Sequence, residues 1–240
     1  MKAIILAAGR GSRMKNLTEN KPKCLVSVLG KPLVDWQLDA MRSNNINSIG
    51  IVTGYRREKL EKLGLHEFFN QSWASTQMFS SLACAHSWLA EDTCIISYSD
   101  IFYDSDAIKL LIESDSDVAI TYDPNWHHIW SMRFLEPLLD AETFRIDTSS
   151  CLTEIGDRPD SVSEVQGQYM GLMRLTPNGW ENIRLALGNL SQNEQDKIQL
   201  TTVLQRLIQR KLCNIKAIPY LGRWGEVDSK NDIVAYEANQ

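Results

Sequence analysis

The sequence predicts an α/β fold with a mainly parallel central sheet. Two observations predict it. Short β-like runs alternate with helical patterns along the chain, and the runs are apolar and rich in Ile and Val, as strands buried on both faces should be. At 240 residues the chain is near the upper end for a single core, so one domain, 1–240, is expected.

Ala3–Ala7 reads as the first strand, and Leu33–Asn44 as a helix with Leu33, Trp36, Leu38, Ala40 and Met41 at mostly helical spacing. Ser48–Thr53 is the next strand. Phe79–Leu89 is a helix, with Ser75 or Thr76 as its cap. Strand Cys94–Tyr98 leads to helix Ser105–Glu113, where Asp104 and Asp106 suit the positive N-terminal end. After strand Val118–Tyr122 the alternation breaks. Pro124–Thr153 holds Trp126, His127, His128, Trp130, Arg133 and Pro137, and long irregular segments in compact domains are often binding loops or lids. Strands Tyr169–Leu175 and Ile215–Pro219 and helices Gly179–Leu187 and Leu200–Arg210 complete the pattern. The stripe Leu200, Val203, Leu204, Leu207 and Ile208 belongs to the core.

A formal net charge of −5 argues against a general nucleic-acid binder, though not against a local basic pocket for phosphate. Cys24, Cys84, Cys94, Cys151 and Cys213 include no C-x-x-C pair, so no zinc site is suggested; their odd number fits reduced thiols, read as small buried hydrophobes. His127 and His128, read on an extended segment, point to opposite faces and lack a third ligand at suitable spacing. The apolar N-terminal run is too short for a membrane span and too soon interrupted for a signal peptide, and no later stretch approaches a span. A cytoplasmic protein with neither membrane nor nucleic-acid partners is expected.

The first strand runs directly into Gly9-Arg10-Gly11-Ser12-Arg13, a turn that brings backbone N–H groups close to an anion, with glycine where a side chain would block the approach. A dinucleotide fingerprint would need glycine where Met14 stands, and a P-loop pattern is absent. A plain strand-to-loop turn stays open on this motif alone. The following Lys21-Pro22-Lys23-Cys24-Leu25-Val26 adds a lysine at the end of the same loop. Arg13 and Lys23 can then face one triphosphate from two sides, Arg by bidentate contact and Lys as a point charge.

Met1–Val26 resembles the signature of the sugar-phosphate and choline-phosphate nucleotidyltransferases: a strand, then L-A-A-G-x-G-x-R, L-T and P-K. Here these stand as Leu6-Ala7-Ala8-Gly9, Gly11, Arg13, Leu17-Thr18 and Pro22-Lys23. Many members have proline before Leu-Thr where this chain has Asn16. The resemblance implies a Rossmann-like nucleotidyltransferase (GT-A-like) fold with helices on both faces of the sheet. It implies Mg²⁺ as cofactor, Arg13 and Lys23 as catalytic residues, and Leu6, Ala7, Ala8, Gly9, Gly11, Ser12 and Arg13 as nucleotide-binding.

Mg²⁺ needs one or two carboxylates besides phosphate oxygens and water. Asp100 follows strand Cys94–Tyr98, where ligands collect in open α/β sheets, and Asp228 lies in Glu226-Val227-Asp228-Ser229. Taken alone, either aspartate reads first as a cap or a solvated turn. The family carries metal ligands at both places, the second typically within E-[IV]-D-[ST]. Glu226 stays open between supporting Lys23, a surface salt bridge and the acceptor side. Thr76-Gln77-Met78-Phe79-Ser80-Ser81-Leu82 has Gln77 where the family commonly has Asn; Gln77, Ser81, Tyr98 and Ser99 are the further nucleotide-binding candidates.

The short chain resembles the choline-phosphate and phosphonate cytidylyltransferases, and more closely those acting on phosphoglutamine-like acceptors in capsule modification. The shared stretches include Trp130–Phe134, Asp140–Phe144 and Gln166–Leu172. The partners so implied are CTP and a small phosphorylated or phosphonate acceptor, held by an insertion around 123–170. Trp130, Arg133, Gln168, Tyr169 and Glu226 are the acceptor-binding candidates. A homodimer is left open. The alternatives are a sugar-1-phosphate nucleotidyltransferase using UTP or dTTP, and a non-catalytic nucleotide-binding regulatory homologue.

Overall fold

A computed structural model describes residues 1–239. Strands β1 Lys2–Leu6, β2 Ile49–Thr53, β3 His66–Phe69, β4 Cys94–Tyr98, β5 Val118–Asp123, β6 Gln168–Leu175 and β7 Ile215–Pro219 form one sheet, ordered β7-β5-β6-β4-β1-β2-β3. All pairings are parallel except those of β6, which runs antiparallel to β4 and β5. The sheet is therefore mainly parallel, as expected.

Side chains of β1 alternate between two cores. Ile4 and Leu6 join one cluster with Ile96, Val52 and Leu204, while Ala3 and Ile5 join another with Val34, Ile95 and Leu111. Both faces are thus buried, which is why the strands read as continuous apolar runs. The expected strands all form, within one residue at each end. The sequence reading missed edge strand β3, where only Phe68 of His66-Glu67-Phe68-Phe69 is buried.

Helix α1 Leu33–Ser43 forms as expected. The expected helix Phe79–Leu89 is instead two, α2 Met78–Ala83 and α3 His86–Glu91, broken at Cys84-Ala85, and Gln77 rather than Ser75 or Thr76 precedes the first. Helix α4 Ser105–Ile112 follows β4 in sequence, and α5 Trp126–Arg133 opens the stretch read as irregular. His127 and His128 therefore sit on a helix, not on an extended segment. A 3-10 turn, Pro137–Leu139, and a short antiparallel pair, Phe144–Ile146 with Leu152–Ile155, follow in that stretch. Helix α6 Pro177–Leu187 starts two residues earlier than read, with Thr176 capping Gly179 N–H. Helices α7 Gln192–Asp196 and α9 Lys230–Ala238 were unread, although each opens with a capping box. Helix α8 Leu200–Arg210 buries the stripe named from the sequence except Ile208, which is partly buried.

Among the described residues no helix is long and apolar enough to cross a membrane. Cys24 and Cys94 are buried, but Cys84 is exposed and Cys151 and Cys213 are half-buried, so burial explains only two of the five thiols.

Candidate active site

The site forms beyond the carboxyl ends of β1 and β4, where helices leave a crevice. The glycine turn comes first. The amides of Ala8, Gly9, Arg10 and Gly11 donate no hydrogen bond among the described residues, and a Cβ at Gly9 would project into open space. These N–H groups are free to meet an anion. Ala7 is different: its N–H is spent on Val52 O at 2.9 Å and its side chain lies in the core. It supports the turn from behind and does not line it.

Gly11 has a second reason to be glycine. Its φ is +68°, and a Cβ would meet Lys23 Cβ and Cδ at 2.9 Å. The Lys23 stem passes beneath the turn only because Gly11 has no side chain. Thr18 closes the loop by donating its hydroxyl to Gly11 O at 2.9 Å. The Leu-Thr and Pro-Lys elements of the motif thus shape the loop that carries the lysine.

Asp100 is placed by its neighbours. The buried Gln37 amide on α1 donates to Tyr98 O at 2.9 Å and to Ile101 O at 2.6 Å, pinning the turn between them. Ile101–Tyr103 then pairs antiparallel with Trp224–Glu226, setting Ile101 opposite Glu226, and Val227 N–H donates to Asp100 O at 2.9 Å. Asp228 follows at once, held where α9 begins: Asp232 Oδ2 accepts from Asp228 N–H at 2.8 Å and from Ser229 N–H at 2.7 Å.

Lys23 Nζ lies 2.9 Å from Asp100 Oδ2 and 2.6 Å from Asp228 Oδ1. Arg13 Nη2 reaches the same Asp228 oxygen at 2.9 Å. Oxygen atoms of Asp100, Glu226 and Asp228 all lie within 4.8 Å of one another. Burial pulls the Lys23 ammonium toward neutrality, but Asp100, Asp228 and Glu226 outweigh it and hold it protonated above its ordinary range. Burial likewise raises Asp228, yet Lys23 overcomes it and the carboxyl ends below its ordinary value. Glu226 goes the other way: burial and the Asp228 charge push it up to about 7.

Two cavities meet at this cluster. One, of about 290 Å³, is lined by Leu6, Ala8, Gly9, Gly11, Ser12, Gln77, Ser81 and Ser99, with Trp73, Thr76 and Met78 as a further wall. The other, of about 240 Å³, is lined by Tyr98, Trp130, Gln168, Tyr169 and Glu226, with Asp140, Glu142, Thr201 and Trp224. Asp100 and Lys23 border the first, Asp228 the second, and Arg13 both.

Most of the residues chosen from the sequence therefore converge here, with three corrections besides Ala7. Tyr98, expected on the nucleotide side, lines the second cavity. Arg133, expected to touch the acceptor, is wholly enclosed and contacts Glu226, Asp228 and Asp232 instead. Gln168 lines the second cavity but spends its amide on Glu142: Oε1 accepts from Glu142 N–H at 3.1 Å and Nε2 donates to Glu142 O at 2.6 Å. It positions Glu142 and has little left for a ligand.

Trp73, Asp140, Glu142 and Asp232 are site residues that sequence reasoning missed. Asp232 was signalled by the Ser229–Asp232 capping box; Asp140 and Glu142 were marked only by the irregular stretch and by the resemblance over Asp140–Phe144, which assigned them no role. Burial raises both the Asp140 and the Glu142 carboxyl above the ordinary range.

A family model for the MobA-like NTP transferase domain matches residues 3–150, more than half of the chain. The chain belongs to the MobA-like NTP transferase family. Within it, this nucleotidyltransferase is 34% identical to a CTP:phosphoglutamine cytidylyltransferase of Campylobacter jejuni over 249 aligned positions, 97% of this chain and 98% of that protein. It is 41% identical to a choline-phosphate cytidylyltransferase of Streptococcus pneumoniae over 106 positions, 42% of this chain and 46% of that protein. The NTP transferase fold also superposes on the inositol-1-phosphate CTP transferase from T. maritima with a TM-score of 0.75 at 18% identity, covering 98% of this chain and 94% of that one. At that identity the likeness is one of fold.

Proposed function

We propose that the protein is a cytidylyltransferase that moves CMP from CTP to a small phosphorylated or phosphonate acceptor and releases pyrophosphate, acting in the cytoplasm in surface-polysaccharide modification. Among phosphoglutamine-, phosphocholine- and aminoethylphosphonate-like acceptors, near full-length similarity to a phosphoglutamine enzyme favours the first. The observation that carries the reading is the Lys23 ammonium between Asp100 and Asp228, at the junction of an amide-lined cavity and an acidic, aromatic one.

The donor set fits a hard divalent cation. Three carboxylates converge, and Asp100 Oδ1 is buried without a hydrogen-bond partner. Asp100 and Asp228 would hold Mg²⁺, with Glu226 beside them; bound there, the ion supplies charge that offsets the phosphate oxygens.

The free amides of Ala8 to Gly11 cradle the phosphates. Arg13, whose side chain is 67% exposed, has room to turn from Asp228 to the departing pyrophosphate. Lys23 turns its ammonium from the carboxylates to the α-phosphate. The acceptor oxyanion attacks the α-phosphorus in line, and the bond to the β-phosphate oxygen breaks with its electrons going to pyrophosphate. The acceptor is already ionised, so no protein base is needed, and catalysis is positioning with charge stabilisation. Gln77, Ser81 and Ser99 border the nucleoside. In the segment 123–170, Asp140 and Glu142 with the Tyr98 and Trp130 rings suit an ammonium group. Trp130 Nε1 and Tyr169 Oη, buried without partners, are available to acceptor oxygens.

Pyrophosphate release, measured over CTP, UTP and dTTP with phosphoglutamine, phosphocholine, aminoethylphosphonate and sugar-1-phosphates, tests the reading. Turnover with CTP and a small amino-bearing acceptor is expected, abolished by EDTA and restored by Mg²⁺. Asp100→Asn or Asp228→Asn should lower kcat by roughly 10²–10³ in a folded protein. Preference for UTP or dTTP with sugar phosphates, or nucleotide binding without turnover, would overturn the proposal.

A further inference from the structure

Arg133 lies behind the carboxylates of the site. Its side chain is 0% exposed, and its guanidinium lies 5.2 Å from the Trp130 ring and 4.9 Å from the Phe134 ring. Each of its contacts takes one oxygen of a different carboxylate. Nη1 donates to Glu226 Oε2 at 3.0 Å, Nη2 to Asp228 Oδ2 at 3.4 Å and Nε to Asp232 Oδ1 at 3.1 Å. Two of the oxygens left over have separate tasks. Asp228 Oδ1 faces Lys23 and Arg13 in the cleft, and Asp232 Oδ2 caps α9.

We propose that Arg133 is a positioning residue that restricts Asp228 and Glu226 to one cleft-facing oxygen each and so tunes the site for a small octahedral cation over a larger one. This rests on the metal reading above. A planar fork suits the task, since its N–H groups leave in different directions within one plane and can hold three carboxylates apart; a lysine ammonium is a point charge that cannot reproduce that geometry. The size argument follows from coordination. Mg²⁺ and Mn²⁺ take single oxygens in a tight octahedron, whereas Ca²⁺ accepts six to eight ligands and readily takes both oxygens of a carboxylate. With its back oxygen tied to Arg133, neither Asp228 nor Glu226 is free to chelate through both oxygens. Lys23 and Arg13 are positioned to leave for the phosphates when nucleotide arrives, but Arg133 has no exit and stays with the carboxylates throughout.

The test is Mn²⁺ binding followed by electron paramagnetic resonance, in the presence of a non-hydrolysable CTP analogue, with Mg²⁺ and Ca²⁺ as competitors. Wild type, Arg133→Lys and Asp232→Asn are compared, after thermal melts establish folding. Loss of an outer partner of a metal ligand typically lowers metal affinity by roughly 10–100-fold. That loss is expected for Mg²⁺ and Mn²⁺ in R133K, with a clearly smaller loss for Ca²⁺, so the preference for Mg²⁺ narrows. In turnover the same variant should need more Mg²⁺ for half-maximal rate while its affinity for metal-free nucleotide is unchanged. D232N removes one anchor of the fork and should show the same change to a lesser degree; if R133K does not fold, D232N decides. A folded R133K with wild-type Mg²⁺ affinity and selectivity overturns the proposal while leaving the metal site intact. A wild-type protein that binds no divalent cation beyond the nucleotide's own overturns both.

Discussion

Lys23 shows how little of a residue's role lies in its own chemistry. Its ammonium is buried between Asp100 and Asp228, and without it those carboxylates would face each other with only the exposed Arg13 and the back-side Arg133 to offset them. Lys23→Ala should therefore act twice. Turnover should fall by roughly 10²–10³, and the metal-free protein should lose stability, since breaking a buried ion pair costs about 3–5 kcal/mol. Mg²⁺ should then raise the melting temperature of the variant more than that of the wild type, because it replaces the missing charge. Melts in EDTA and in Mg²⁺ decide this; a variant as stable as wild type in EDTA would show that the lysine does not hold the carboxylates. Glu142 is the opposite case. Burial lifts its pKa above the ordinary value, so ionisation works against the fold. Its stabilising contribution is full below the ordinary carboxylate range and is lost as pH rises through the folded value. Glu142→Gln should accordingly raise Tm at pH 7 and bring no such gain in acid, while raising KM for an amino-bearing acceptor by about tenfold or more and leaving KM for CTP unchanged. A loss of Tm at pH 7 would contradict the sign. Arg13, Lys23, Asp100 and Asp228 were legible in the sequence because they sit in motifs of set spacing. Glu142 was not, since its position depends on Gln168 and Thr201, residues far along the chain.

The elements that carry these residues were legible where burial is symmetric and obscure where it is not. The apolar runs of β1, β2, β4 and β5 leave little choice, whereas β3 buries one side chain of four and looks like loop. The reading of Phe79–Leu89 as one helix failed because apolar spacing continues across Cys84-Ala85 while the backbone turns. The glycine turn is a fuller success, but for a reason only partly visible beforehand. Its amides do face open space, yet Gly11 is needed chiefly because the Lys23 stem runs beneath it. Gly11→Ala should then impair both loop and lysine. A left-handed backbone costs an L-residue roughly 1–2 kcal/mol, and the 2.9 Å approach to Lys23 must relax by shifting the lysine side chain. The expected outcome is a lower Tm together with a fall in kcat that exceeds any rise in KM for CTP. A variant with altered Tm but wild-type kcat would show that the stem can move aside without consequence.

At the scale of the molecule, the site is made of pieces that only folding brings together: residue 13 and residue 23 from the first loop, residue 100 beyond β4, residue 133 from α5 and residues 226–232 beyond the last strand. The strand Trp224–Glu226 and α9 lie at the far end of the sequence, and sequence spacing says nothing about how Glu226 comes to stand opposite Ile101. The pairing follows from packing, with Phe102 and Tyr236 in edge contact at 5.1 Å and the Gly225 backbone beside them. Ligands that bridge such distant segments bind the folded chain and not the unfolded one, so they stabilise the whole molecule by mass action. At 100 times Kd the gain is about 2.7 kcal/mol. CTP with Mg²⁺ should therefore raise the melting temperature of the wild type in a single cooperative transition, and EDTA should remove most of the rise. Asp228→Asn, which keeps the shape and the link to α9 but weakens the bridge between the first loop and the Glu226–Asp228 segment, should lose most of that metal-dependent rise. The same rise in wild type and variant, with and without EDTA, would mean that nucleotide is held by the first loop alone and that the two ends of the chain are not joined through a cation.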